Sequence, residues 1–466
     1  MTFVRRTLLV FCSAVVLAGL VPATSQAQSA SAFVPDPVPA ATAPANPRQA
    51  YLLPPEKRSK AIAISRIRNI LDFAGSVWSL MVLWLLLATR GFSRLEAWVG
   101  RVIGQRRPPA RADSELLPHR RWLQGLFFFA SFFLITTLAG LPIDAYGHHV
   151  SREYGISLQG WGGWLIDQGK ALALTVVIGS PVLLLFNWIV RFWPRRYWFG
   201  IWLVTLPLIV LVLLVSPLFE PFFNTYEPLS QNHAALVDEL EKLVARTGTD
   251  IPPSRMFLMR AGEKTNGLNA YVNGIGPTKR IVVWDTTAGR IPNDEVMFIF
   301  GHESGHYVMN HIPKQVSITV AGLFFVFWAC AGFAGWLARR FGAGWGLGAQ
   351  DATAAPLSSR TGFVVLIFAL TMAGFLLRPA VNTMSRHFEH EADIYGQEAI
   401  HGLVPDPQET AVAAFNALGE AWLDDPDPSP FIEFWEYDHP SVKTRADFAA
   451  HYDPWANGGH GEFFAK

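Results

Sequence analysis

Residues 197–219 read YWFGIWLVTLPLIVLVLLVSPLF, a run without one charged side chain. Rising about 1.5 Å per residue, a helix of this length crosses the roughly 30 Å hydrocarbon core of a bilayer. Five more uncharged runs flank it, at residues 73–89, 122–143, 171–190, 315–338 and 361–377. The first and last of the set are short and are expected to borrow flanking turns. One or two such runs fit inside a soluble core, but six in one chain predict a multi-spanning membrane protein. Composition agrees. The 466 residues are 51% hydrophobic and 16% charged, where a soluble protein carries about 25% charged residues. A net charge of +1 leaves no basic excess to hold a nucleic-acid backbone. The two cysteines, Cys12 and Cys330, both sit in apolar stretches, which excludes a disulfide framework and a cysteine-rich metal site.

The N-terminus reads as a secretory signal. Arg5 and Arg6 precede an apolar stretch at 8–20 and a small-residue stretch at 23–30, with Ala27 near an A-x-A cleavage pattern. An uncleaved signal anchor is the alternative. Residues 31–50, with Pro35, Pro37, Pro39, Pro44 and Pro47, form an extended linker that buries no core. The loop after the first span carries Arg90, Arg94, Arg101, Arg106, Arg107, Arg111, Arg120 and Arg121. Two later loops on that side carry Arg191, Arg195 and Arg196, then Arg339, Arg340 and Arg360. The positive-inside rule makes these loops cytoplasmic and puts residues 220–314 and 379–466 on the opposite, periplasmic face. One segment dissents: residues 48–69 share that outer side yet carry Arg48, Lys57, Arg58, Lys60, Arg66 and Arg68.

The polar stretches hold the chemistry. Between the fourth and fifth spans the pattern predicts an amphipathic helix over 231–246 ended by Gly248. Short strands are expected at 256–259, 269–272 and 281–284, and a helix capped by Asn293. That helix runs through Gly301-His302-Glu303-Ser304-Gly305-His306. In an H-E-x-x-H helix the two imidazoles leave one face and can share one Zn²⁺, with the glutamate in reach of a water on the metal. A catalytic zinc needs a third protein ligand. No histidine follows at 312, where Ile312 stands, so the third ligand comes from another segment. After the sixth span, Glu389 and Asp393 lie four residues apart on one helix face. Glu389 can bind the metal while Asp393 accepts the distal N–H of a ligating histidine. His387 and His390 are weaker alternatives, Glu391 points off that face as a solvated carboxylate, and His311 reads as a neighbour. The pattern is helical to about Gly419 and is broken by Pro426, Pro428 and Pro430.

These blocks together resemble the type 1 CAAX prenyl proteases and their bacterial HtpX-like relatives, membrane zinc metallopeptidases of the gluzincin type. The likeness runs from about Tyr51 to Arg445. It rests on Tyr51-Leu52-Leu53-Pro54-Pro55-Glu56-Lys57, Asn269-Ala270-Tyr271, the strand from Lys279 to Thr286, the H-E-x-x-H helix with His311, Arg386-His387-Phe388-Glu389 with Ala392-Asp393, and His439-Pro440 followed by Arg445. The resemblance implies a mainly helical membrane bundle, enclosing an intramembrane chamber, with an α+β zincin-type domain that carries a small sheet. It implies one Zn²⁺ per chain on His302, His306 and Glu389, with Glu303 as general base and His439 stabilising the oxyanion. It further implies that Asn269 and Ala270 pair with the substrate backbone, and that Arg445 orients Asp393.

The expected organisation is therefore a signal segment (1–30), a linker (31–50), a membrane domain with four spans (51–225) and a zinc protease domain (226–314). Two more spans (315–378) and a C-terminal protease segment with the third ligand (379–466) complete it. The expected activity is zinc-dependent hydrolysis of peptides or membrane-associated proteins in a bacterial inner membrane. Bilayer and peptide substrate are the expected partners, with no nucleic acid and no obligate protein partner. Two departures bear on this. A signal-like segment replaces the family's first span, and a zinc site on the periplasmic side contrasts with the cytosol-facing site of the eukaryotic members. Prenylated CAAX substrates are not expected in a bacterial chain. A relict scaffold is the competing reading, disfavoured by the intact Glu303. Transport is disfavoured because the six runs carry no ionisable residue.

Overall fold

The computed structural model describes residues 50–103, 118–274, 278–347 and 357–464. The signal segment, nearly all of the linker and parts of two Arg-rich loops lie outside these residues. Helix α1 (Pro55–Ala88) is followed by the short amphipathic α2 (Gly91–Val102), then α3 (Pro118–Glu153), α4 (Trp161–Phe192) and α5 (Tyr197–Phe219). A polar region follows, with β1 (Tyr226–Pro228), α6 (Ala234–Thr247), β2 (Met256–Met259), β3 (Ala270–Asn273) and β4 (Arg280–Trp284). Next come α7 (Asn293–Val308), α8 (His311–Trp345), α9 (Arg360–Ile400), α10 (Pro407–Trp422), α11 (Pro430–Glu436) and α12 (Val442–His451). Among the described residues six helices are long and apolar enough to cross a membrane: α1, α3, α4, α5, α8 and α9. Each holds all or nearly all of one of the six uncharged runs, and all but α5 extend beyond it by turns that carry charge.

The spanning helices pack around an aromatic core that includes Phe128, Phe129, Phe132, Phe133 and Phe327. Lipid supplies no hydrogen bonds, so indole and phenol donors find carbonyls on neighbouring helices. Trp78 Nε1 donates to Ala139 O at 2.7 Å, Trp202 Nε1 to Val320 O at 2.9 Å, and Tyr197 Oη to Ala331 O at 3.3 Å. At the end of the bundle far from the sheet, Arg90 Nε donates to Gly344 O at 2.9 Å, near the C-terminus of α8. There Glu96 also receives the Thr361 amide at 3.1 Å and its hydroxyl at 2.6 Å, at the N-terminus of α9. Both charges oppose the dipole end they meet.

The sheet has strand order β1-β2-β4-β3. β2 and β4 run parallel, β1 and β3 are antiparallel to their neighbours, and β3 is an edge. A second core joins the sheet to α6, α7, α10 and α12 through Leu236, Leu240, Met256, Val283, Phe298, Phe300 and Phe415. Helix α9 belongs to both cores. Its 41 residues span about 60 Å, twice the hydrocarbon thickness, so one rod carries the fold from the bundle into the sheet domain.

Three local expectations change. Asn293 is the first residue of α7 rather than its cap; the ring-locked backbone of Pro292 (φ −55°) takes the cap position. The prolines after Gly419 do interrupt the helix, with α10 ending at Trp422, but helical structure resumes after the break. Pro430 opens α11, a position where its missing N–H costs nothing, and the Ser441 side chain caps α12. Finally, two of the dissenting basic residues are met by the sheet domain. Lys57 pairs with Glu420, and Arg68 Nη1 donates to Trp422 O at 2.9 Å. Residues 50–68 thus lie at the sheet-domain end of the bundle, opposite the Arg90 and Arg360 end.

Candidate metal centre

Helix α7 carries His302 and His306 one turn apart, and their Nε2 atoms approach to 3.2 Å. Helix α9 brings Glu389 to them, with Oε2 3.2 Å from His302 Nε2 and Oε1 3.5 Å from His306 Nε2. One ligand atom from each residue lies within 4.8 Å of the others. Glycines make this approach close. A Cβ on Gly396 of α9 would stand 2.8 Å from the His302 backbone nitrogen, and one on Gly301 of α7 would stand 3.1 Å from Gly396 O. Backbone meets backbone here, so neither site has a flexible neighbour that can yield.

Asp393, one turn beyond Glu389, lies with Oδ1 2.8 Å from His302 Nδ1. A carboxylate can only accept, so the imidazole carries its proton on Nδ1 and turns the Nε2 lone pair into the pocket. Arg445 holds Asp393 with two bonds, Nε to Oδ2 at 2.9 Å and Nη2 to Oδ1 at 2.6 Å, and lies over the Phe415 ring at 4.7 Å. Burial pulls His302 down, but the hydrogen bond to Asp393 and the nearby Glu389 carboxylate outweigh it and raise the imidazole to about 9. His306 has no carboxylate on its Nδ1, and burial drives it to about 3 despite Glu389. The pocket thus favours one positive charge between two imidazoles and a carboxylate. Glu389 Oε2 is buried and makes no well-formed hydrogen bond. Two imidazole nitrogens and an unsatisfied carboxylate oxygen form a donor set that fits a divalent cation of the zinc type.

Glu303 lies beside the ligands, half-buried. Burial raises its carboxyl to about 7. His439 stands with Nε2 3.2 Å from Glu389 Oε2 and Nδ1 3.0 Å from Asp438 Oδ1. Burial lowers its pKa, and Glu389 and Asp438 more than reverse that, for a net rise. Its loop is clamped by α9: Arg386 Nη1 donates to Glu433 O at 2.9 Å, and Asn382 Nδ2 to Trp435 O at 2.8 Å. The alternative ligands stand apart. His387 is exposed, and His390 packs edge-on against Phe448 at 4.6 Å. Glu391 is not merely solvated, since its Oε2 lies 3.0 Å from His311 Nε2.

The edge strand separates two residues that the sequence treats together. Asn269 O accepts the Trp284 amide at 3.1 Å, and its N–H donates to Thr287 Oγ1 at 2.8 Å, so its peptide groups face β4. Antiparallel alternation turns those of Ala270 and Val272 to the free edge. Gly396, Asn382 and Arg386 received no role from the sequence. The visible hint was Gly301 and Gly305, four apart and flanking His302, which leave one face of α7 bare.

Two histidines on one helix, a carboxylate from a second, and helices of membrane-spanning length define a membrane metalloendopeptidase. The chain belongs to peptidase family M48. The Peptidase family M48 model matches residues 230–453, and the model for CAAX prenyl protease N-terminal, five membrane helices, matches residues 40–225. The chain is 30% identical over 407 residues to the uncharacterized metalloprotease YhfN of Bacillus subtilis, covering 86% of this chain and 87% of that one. It is 31% identical over 207 residues to CAAX prenyl protease 1 of Saccharomyces cerevisiae, spanning 44% of this chain and 45% of that protein. Its fold matches the crystal structure of S. mikatae Ste24p with a TM-score of 0.67, at 22% identity, over 84% of this chain and 90% of that chain. Membership implies a bound metal, a peptide substrate and a multi-pass membrane location.

Proposed function

We propose that the metal is zinc, held by His302, His306 and Glu389, and that the enzyme cleaves misfolded or membrane-associated polypeptides at this pocket. The observation that carries the reading is the convergence of these three donors beside Glu303 and the open edge of β3. Held by these three residues, zinc would supply acidification of a bound water and polarisation of the scissile carbonyl. Glu303, its carboxyl raised by burial, takes the proton of the attacking water and returns it to the leaving amine. His439, whose pKa Glu389 and Asp438 raise, carries N–H on both nitrogens when protonated, one to Asp438 and Nε2–H to the oxyanion. Ala270 and Val272 offer peptide groups for a substrate strand to pair with, and the Asn269 side chain flanks it. Asp393 and Arg445 hold His302 in one tautomer.

We further propose that the pocket faces the periplasm of a bacterial inner membrane. The described parts of the Arg-rich loops lie at the far end of the bundle, and two of the six basic residues that oppose this orientation, Lys57 and Arg68, are partnered by Glu420 and Trp422. Because those two are engaged by protein, they weigh less against it. Reporter fusions after Ser230 and Ala110 test the orientation; a cytoplasmic signal at Ser230 overturns it. For the chemistry, Glu303→Ala protein should keep its zinc, lose hydrolysis and trap substrates in native membranes. Normal turnover by the purified variant would sink the reading.

A further inference from the structure

The pocket has a second support that the reading above leaves idle. His306 Nδ1 lies 3.0 Å from His311 Nδ1, and His311 Nε2 lies 3.0 Å from Glu391 Oε2. His311 is 2% exposed and its ring stacks on Phe388 at 4.7 Å. Both atoms are buried, and although they stand 3.0 Å apart neither makes a well-formed hydrogen bond among the described residues. In an unbroken helix, a residue five positions on would be rotated about 140° from His306 and could not reach its ring. The chain breaks at Asn310, whose left-handed backbone (φ 57°) separates α7 from α8 and swings His311 back. Asparagine is among the few side chains that adopt this conformation readily.

We infer that His311 and Glu391 are positioning residues that set the tautomer of His306. The inference rests on the zinc reading, and its logic is one of proton positions. To offer Nε2 to a metal, a neutral His306 carries its proton on Nδ1. That N–H faces His311 Nδ1, which must then accept. A neutral imidazole that accepts at Nδ1 holds its own proton on Nε2, and Glu391 Oε2, 3.0 Å from that nitrogen, is the carboxylate oxygen within reach of it. Each ring has one allowed tautomer, and the carboxylate at the end selects both. Without Glu391, His311 is free to move its proton to Nδ1, where two N–H groups oppose each other and His306 is pushed off its ligating form.

The test measures zinc affinity of the full-length protein in detergent, by competition with a chromophoric chelator. Removing an outer hydrogen-bond partner of a ligand typically weakens metal binding about 10- to 100-fold. That loss is expected for Glu391→Ala and for His311→Phe, which keeps an aromatic ring against Phe388. Glu391→Gln retains an acceptor oxygen and should recover most of the affinity. The His311→Phe/Glu391→Ala double variant should bind no more weakly than His311→Phe alone, because Glu391 acts only through His311. Unchanged affinity in His311→Phe, or additive losses in the double variant, would overturn the relay. Absence of zinc from the unsubstituted protein, or normal affinity in Glu389→Ala, would instead overturn the zinc reading and the relay with it.

Discussion

Helices α7 and α9 deliver side chains to one pocket from two different settings. α7 is short and lies wholly within the sheet domain, with Val296, Phe298 and Phe300 in its core. α9 begins in the aromatic core of the bundle, where residues 363–370 are buried, and reaches the pocket only in its second half. The proposed base Glu303 is thus fixed by local packing, while the proposed metal ligand Glu389 is fixed by the register of a membrane-length helix against the sheet domain. The difference predicts a division of labour between the helices. Glu303→Ala should cost about 10²- to 10⁴-fold in turnover with metal content unchanged. Glu389→Ala should lose both metal and activity. Elemental analysis beside a peptidase assay separates the two, and metal loss in Glu303→Ala would erase the distinction.

The next largest effect concerns how closely the helices meet. Gly396→Ala places a methyl 2.8 Å from the His302 backbone, and overpacking of this kind costs about 1–3 kcal/mol. Its zinc affinity should fall as well, because Glu389 and Asp393 move with α9. Gly332→Ala on α8, where a methyl meets no atom within 4 Å, should leave thermal stability and zinc binding near the parent. Equal behaviour of the two variants would mean that helix separation does not set the pocket.

The two helices also differ in how much a reader of the sequence sees. His302, Glu303 and His306 fall within five residues at helical spacing, so one short window contains them. Glu389 with Asp393 on its face is readable too, as a pair that could complete the pocket. What stays hidden is set by backbone states and distant partners. The swing of His311 depends on the left-handed Asn310, which no periodicity displays. Which of Asn269 and Ala270 faces the open edge depends on pairing with β4. Lys57 and Arg68 read as free charges, yet their partners lie 363 and 354 residues away. The spans were plain because length and the absence of charge suffice to find them.

The starts of the helices extend the contrast to pH. No side chain caps α7, and burial, with Asp294 adding to it, raises Glu295 in its first turn from 4.5 to about 7. The fold therefore prefers the neutral acid. This costs nothing below the unfolded value, grows between about pH 4.5 and 7 and is constant above. Glu295→Gln should stabilise the protein by on the order of 2 kcal/mol above pH 7 and make no difference near pH 4. Melting curves of both proteins across that range check it, and a gain that persists near pH 4 would show that titration is not the cause.

The smallest effect lies at the other helix start. Ser359 Oγ accepts the Gly362 amide at 2.9 Å, and Glu96 accepts two amides of the same turn, from Arg360 at 3.2 Å and Thr361 at 3.1 Å. The first turn of α9 is thus capped twice, once from its own chain and once from α2. Losing a serine cap costs about 1 kcal/mol where nothing replaces it. With Glu96 in place the loss for Ser359→Ala should be smaller, and it should reach the full value only when Glu96→Ala is added. Because this turn sits at the far end of a rod about 60 Å long, zinc affinity should stay at the parent level in Ser359→Ala. If zinc binding weakened with the cap, the two halves of α9 would be mechanically coupled along their length, and the membrane end would be helping to set the position of Glu389.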